Sequence, residues 1–225
     1  MYTAMDAAWF IPNLTILPAP QRSLWPELDA TPEHFTLYGG TAIALRLGHR
    51  TSVDFDLVTG QLFDPDGLAN EIPYLKNAEQ VQVAANTLKC RVERNGPVLI
   101  SFFGGIVQGR AAERTRPQGS RLFVASLLDL AATKASVVQK RAEAKDYLDI
   151  DAMISQGLDL PTILAAAGAV FGSSFNPLIT LKALGYYGDV PNLPQSVQAN
   201  LSARVRAVDP AHLPTIEPIS RSLLV

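Results

Sequence analysis

Apolar and polar residues follow two different rhythms along this chain, one in each half. The first half holds short runs bounded by turn residues. Phe35–Tyr38 is a short apolar run stopped by Gly39-Gly40, which predicts a buried strand and then a turn. Thr41–Leu47 has helix-compatible spacing, with Gly48 as its stop. Val53–Val58 alternates apolar and acidic residues, as a half-exposed strand does. Gln61–Leu75 opens with Asp, Pro and Gly, so it reads as a loop that continues into a helix, and Val81–Ala84 reads as a strand. Leu88–Glu93 and Pro97–Phe103 flank Asn95-Gly96, a hairpin signal. On the first arm Leu88, Cys90 and Val92 alternate with Lys89, Arg91 and Glu93, which makes one face apolar and the other charged.

The period changes after a glycine- and arginine-rich connection, Gly104–Gln118. Ser126 with Asp129 resembles a capping box, and Leu127–Val138 continues with helical spacing. A second helix is expected over Ala144–Ser155, stopping near Gly157, and Pro161 opens a third. Pro177, Pro191 and Pro194 punctuate the remainder of the chain, and Val197–Val208 is the last helical candidate. Met1–Pro32 is proline-rich and reads as irregular wrapping with one short helix. The expected fold class is α+β. A mixed-sheet core with its N-terminal wrapping segment occupies residues 1–120, and a mostly helical half, 121–225, completes the chain and closes a cleft. Neither an internal repeat nor a low-complexity tract interrupts this plan.

Composition narrows the picture. With 225 residues and 48% hydrophobic content the chain can bury a sizeable core. A net charge of −2 excludes an overall cationic coat and leaves room for a local basic patch. A single cysteine, Cys90, rules out an intrachain disulfide and suits a reducing compartment. The N-terminus lacks the basic-then-apolar order of a signal peptide. The longest apolar stretches, Val98–Val107 and Leu160–Phe171, are too short to span a bilayer. The expectation is a soluble cytoplasmic protein with no membrane partner.

Three clusters could carry chemistry. Gly39, Gly40 and Thr41 stand where a backbone can approach a ligand closely and a helix start can face an anion, or where a turn merely needs glycine. Asp54 and Asp56 are two apart, so on a strand they point the same way. Such a pair suits a divalent ion shared with phosphate oxygens, and also suits an ordinary acidic, solvent-facing strand. Arg50 can pair with carboxylate or phosphate, and Ser52 can donate to a phosphate oxygen or cap a turn. Lys134 lies in an otherwise apolar, alanine-rich helix, where it either snorkels to water or enters a cleft. Arg141, Lys145, Asp146 and Asp149 come next, and Asp146 and Asp149 share a helix face.

Together these residues resemble the polymerase beta-like nucleotidyltransferase superfamily, and within it the AbiEii/AbiGii toxin family. The first signature stands here as GGTAIAL and then His49, Arg50, Ser52, Asp54 and Asp56. The second stands as Lys134, Arg141, Lys145, Asp146 and Asp149. The resemblance covers about a quarter of the chain, and the first block is the more specific. It implies a toxin of a toxin–antitoxin or phage-defence system, with a cognate antitoxin as partner. It implies transfer of a nucleotide from a nucleoside triphosphate to RNA, with the tRNA acceptor end as a target. In that reading Asp54 and Asp56 bind magnesium, or manganese in its place. Gly39, Gly40, Thr41, Arg50 and Ser52 meet the triphosphate, Lys134 holds phosphates, and Asp146 completes the catalytic set. One departure stands out. The strand expected at Val98–Phe103 offers Ser101 where the superfamily commonly has a third carboxylate, with Glu93 across the hairpin as a substitute and Asp146 as another candidate base. That departure motivates the alternative of a catalytically impaired module that binds a nucleotide or a partner.

Overall fold

A computed structural model describes residues 9–220 and Leu223. The chain forms two compact units. The first takes the residues up to Gln108 together with Glu113–Ser126, and the second takes Gly109–Ala112 and the helical run that starts at Leu127.

The first unit is built on a mixed sheet. In chain order its described elements are β1 (Trp9–Phe10), α1 (Ala19–Leu24), β2 (Thr36–Tyr38), α2 (Gly39–Leu47), β3 (Phe55–Val58), α3 (Pro65–Glu71), β4 (Glu79–Ala84), β5 (Thr87–Glu93), β6 (Pro97–Phe103), β7 (Arg116–Pro117) and β8 (Phe123–Val124). Among the described residues the main sheet runs β4-β5-β6-β3-β2-β8, and β1 pairs separately with β7. β3 lies antiparallel to β2 and parallel to β6, and β4, β5 and β6 form an antiparallel meander.

Register explains the two faces. Cys90, Ile100 and Phe55 form one row across β5, β6 and β3, and Leu88, Phe102 and Leu57 form the next. All six are buried. The Phe35 ring meets Phe102 edge-on at 5.2 Å, and Trp25 tilts against Phe55 at 6.4 Å, so the segment between α1 and β2 covers this face. Full burial of a side chain of this size is worth about 1.5–3 kcal/mol, which makes this face the core of the unit. The opposite face carries the polar members of the same strands.

The Gly48 stop acts as the sequence predicts, whereas the Asp-Pro-Gly run read as a loop caps and opens α3, which ends at Glu71 before a short 3-10 turn over Pro73–Leu75. α2 ends at Gly48, which adopts φ 65° and donates its N–H to the Ala44 carbonyl at 2.8 Å, a left-handed stop that favours glycine. α3 starts after Asp64, whose carboxylate accepts from the Gly67 N–H at 2.7 Å. β4 is longer than the expected Val81–Ala84 and is exposed throughout, as an edge strand can be.

The second unit contains α4 (Leu127–Val137), α5 (Ala144–Ser155), α6 (Leu160–Phe171), α7 (Pro177–Leu184) and α8 (Gln195–Arg206). The α4 segment packs on α5 and α6 through its alanine-rich face, which lets the helices approach closely. α6 opens as expected near Pro161, with Asp159 accepting from the Thr162 N–H at 2.7 Å. Pro177 is not a break. It takes the first position of α7, and Asn176 before it accepts from the Leu178 N–H at 3.0 Å. Among the described residues no single helix is long and apolar enough to cross a membrane.

Candidate functional site

In the first unit the glycine pair opens α2, and no side-chain hydrogen bond caps that helix. Its first N–H groups therefore keep their capacity for an anion. Gly39 adopts φ 76°, and a Cβ there would stand 2.7 Å from Asp56 Oδ2. A Cβ at Gly40 would collide with the Arg50 guanidinium, and Ser52 Oγ lies beside it. Positive φ and the Asp56 carboxylate together favour glycine at Gly39, whereas at Gly40 the close neighbour is the mobile end of Arg50.

Thr41 is 2% exposed. Its Oγ1 stands 2.8 Å from Ser52 Oγ and donates to the Asp54 carbonyl oxygen at 2.5 Å. Gln21 Nε2 holds the neighbouring Val53 carbonyl at 3.0 Å. These bonds fix the run into β3 where regular pairing has not yet begun. Phe55 between the two aspartates is fully buried, which directs Asp54 and Asp56 away from the core face. Asp54 is exposed, and its carboxylate has no hydrogen bond or ion pair among the described residues, while Asp56 is half-buried.

Asp56 is in register with Ser101 on β6, and Ser101 is in register with Lys89 on β5. The position beside Asp56 therefore carries a hydroxyl, buried to 1% exposure. Glu93 pairs with Pro97 at the hairpin mouth, four positions along from the level of Ser101 and two strands from β3. At about 3.3 Å per residue and about 4.8 Å per strand, that separation keeps it away from an ion held by Asp56. Among the described residues no three His, Cys, Asp or Glu side chains gather as a metal cage. The donor set still fits magnesium, which takes one or two carboxylates and completes its shell with water and substrate phosphates. Lys89, on the same face, is half-buried with no side-chain partner among the described residues. Its alternation within the charged face of the hairpin is visible in the sequence. Its place in the Asp56 row is not, because that requires knowing that β6 lies between β5 and β3.

The second cluster lies wholly in the second unit. Lys134 Nζ is 2.6 Å from Asp146 Oδ1 and 2.6 Å from Asp149 Oδ2. Arg141 donates from Nε to Asp146 Oδ2 at 2.7 Å and from a terminal nitrogen to Oδ1 at 3.0 Å. Lys134 is 5% exposed and both aspartates are fully buried. Lys134 therefore does not snorkel, and Asp146 has both oxygens engaged. Lys145 instead pairs with Glu143 at 2.8 Å on the surface. Burial pushes the Asp146 carboxyl up, but the hydrogen bond from Arg141 and the charge and hydrogen bond of Lys134 outweigh it. The net result lies below the ordinary carboxylate range. A carboxylate so held is a better anchor for a cation than a proton acceptor.

Comparison with known proteins adds to this geometry. The family model for the nucleotidyl transferase AbiEii toxins of type IV toxin–antitoxin systems matches residues 27–214. An uncharacterized protein of Aquifex aeolicus (strain VF5) is 30% identical over 121 residues, 52% of this chain and 55% of that protein, so the chain spans about half the length of that curated relative. Among solved structures, MenT4, a nucleotidyltransferase toxin from Mycobacterium tuberculosis H37Rv, superposes with a TM-score of 0.57 at 17% identity, over 85% of this chain and 83% of that one. An antigenic nucleotidyltransferase-like protein from Paracoccidioides brasiliensis superposes with a TM-score of 0.53 at 16% identity, over 92% and 96%. These structural likenesses establish a shared nucleotidyltransferase fold.

Proposed function

The chain belongs to the AbiEii family of nucleotidyl transferase toxins, and from that premise we propose that it transfers a nucleoside monophosphate from a nucleoside triphosphate to RNA, with the tRNA acceptor end as target. In the reaction an acceptor hydroxyl gives up its proton to water, its oxygen bonds to the α-phosphorus, the bond to the oxygen bridging to the β-phosphate breaks, and pyrophosphate leaves. The observation that carries this reading is the seating of Asp56 against the uncapped start of α2, its Oδ2 2.7 Å from where a Cβ on Gly39 would stand, with Asp54 two residues before it.

Each residue has a role on this reading. The N–H groups at the start of α2 bind phosphate oxygens, and Arg50 and Ser52 add donors beside Gly40. Thr41 acts through others: its hydroxyl positions Ser52 and the Asp54 backbone. Asp54 and Asp56 would hold magnesium, or manganese in its place, which offsets the charge that gathers on the transferring phosphoryl group. Lys89 presents an ammonium with no partner among the described residues on the Asp56 face of the sheet. Lys134 is the phosphate-binding cation of the second unit, and Asp146 and Asp149 orient its ammonium. A cognate antitoxin is the protein partner, in keeping with the family.

Incubation with labelled nucleoside triphosphates, magnesium and total tRNA tests the proposal. The parent chain labels tRNA and Asp54→Ala does not; equal labelling by both refutes it. Ser101 beside Asp56 favours a second reading, a module that binds nucleotide or partner without turnover. Saturable nucleotide binding with no labelled product would select that reading.

A further inference from the structure

The second unit contains a cavity of about 310 Å³ that the transferase reading leaves without a role. It lies among the residues just after α4, the start of α5, the α7 helix and the loop after α7. Its floor is apolar: Val138, Tyr147 and Val190 are each 4% exposed or less. Its rim is cationic on a chain of net negative charge, with Lys140, Arg141 and Lys182 against a single acid, Asp189. Arg141 is engaged by Asp146, so the available charge is that of Lys140 and Lys182. Both lysines are exposed, and neither side chain has a hydrogen bond or ion pair among the described residues.

An aromatic ring stands at the same rim. Tyr186 is 59% exposed, an unusual position for a large ring in a cavity wall. It is nonetheless braced: its hydroxyl end lies over Gly188, where a Cβ would stand 2.7 Å from the Tyr186 Cζ. An exposed, braced ring beside an apolar floor suits a flat aromatic ligand, because stacking is sequence-tolerant and needs only a π-face. Two ammonium groups nearby suit a phosphate attached to that ligand. The volume lies at the lower end of the small-ligand range of about 300–1,000 Å³. It accommodates one nucleotide unit and excludes a folded nucleic acid.

We propose that this cavity binds a single nucleotide unit, its base against Tyr186 and the apolar floor and its phosphate against Lys140 and Lys182. Asp189 accepts from a sugar hydroxyl or a base amino group. The unit is either a free mononucleotide or the last residue of a single-stranded RNA. The proposal rests on the transferase reading only in choosing a nucleotide over other phosphorylated rings.

Calorimetry on the full chain, in chelator and without triphosphate, tests it with two probes: adenosine monophosphate and a short single-stranded oligoadenylate. Saturable binding is expected for at least one. Tyr186→Ala and Lys182→Ala each weaken it about tenfold, Tyr186→Phe keeps it within about twofold, and Asp54→Ala leaves it unchanged. Tighter binding of the oligonucleotide identifies a strand end as the occupant, and equal or weaker binding identifies a free nucleotide. Both altered side chains are exposed, and unchanged melting curves would confirm that the variants fold. Absence of binding by the parent chain, or parent-like binding by both alanine variants, overturns the proposal. Because no turnover or divalent ion is involved, this result is independent of the tRNA-labelling outcome.

Discussion

Asp56 and Ser101 stand side by side across the parallel pair of β3 and β6. A hydroxyl thus occupies the place beside the half-buried aspartate where another acid would have to be neutralised. Ser101→Asp would put a second carboxylate next to Asp56 in a site with 1% exposure. Like charges at that distance disfavour each other and the folded state. The expected outcome is a lower melting temperature in chelator that millimolar magnesium partly restores, read by thermal unfolding in both conditions. A melting curve indifferent to magnesium would count against an ion site at Asp54 and Asp56.

Gly39 and Gly48 both take positive φ, but only Gly39 touches the acidic strand. Gly39→Ala is expected to cost about 1 kcal/mol or more of stability and to lower nucleotide transfer at least about tenfold. Gly48→Ala, at the far end of α2, should cost similar stability with far less effect on transfer. Urea unfolding and tRNA labelling of both variants separate the two effects.

Lys134 is the single ammonium between two fully buried aspartates. Lys134→Ala leaves Asp149 without its ammonium and Asp146 with Arg141 alone, and the expected loss is about 3–5 kcal/mol. Adding Asp146→Asn and Asp149→Asn to Lys134→Met should recover most of that stability, because neutral groups need no counterion. Denaturant unfolding measures the loss, and the triple variant should remain inactive in labelling.

Acid should find the same cluster. The folded-state pKa of Asp146 lies below its unfolded value of about 3.9, so its contribution to stability is complete above that pH and is lost as the pH falls through the folded value. The urea midpoint of the parent chain should therefore fall as the pH drops below about 4. In Asp146→Asn the same descent should be shallower. An identical pH profile for the two would mean that Asp146 does not set the acid sensitivity of the fold.

Much of the fold is legible in local patterns. Ala144–Ser155 is a helix with the boundaries its periodicity predicts, Gly48 ends α2, and the alternation in β5 separates buried from exposed residues. These features depend on neighbours within a few residues. Pro177 misleads because proline breaks a helix interior but favours a first turn, and only the Asn176 cap decides between them. The glycine–aspartate block is legible as a motif, and its contact with Gly39 explains why that motif needs glycine. The Lys134 cluster is less so. Its aspartates lie on the next helix, and ordinary surface pairing of Lys145 with Asp149 satisfies the same spacing, yet Lys145 turns to Glu143. The neighbour of Asp56 depends on strand order, which no local pattern encodes.

The pairing of Lys134 with Asp149, and of Arg141 with Asp146, places two cations and two anions together with no net charge. A lone neutral replacement at any one of the four leaves an odd charge behind. A replacement that keeps the cluster neutral therefore has to remove an acid and a base together.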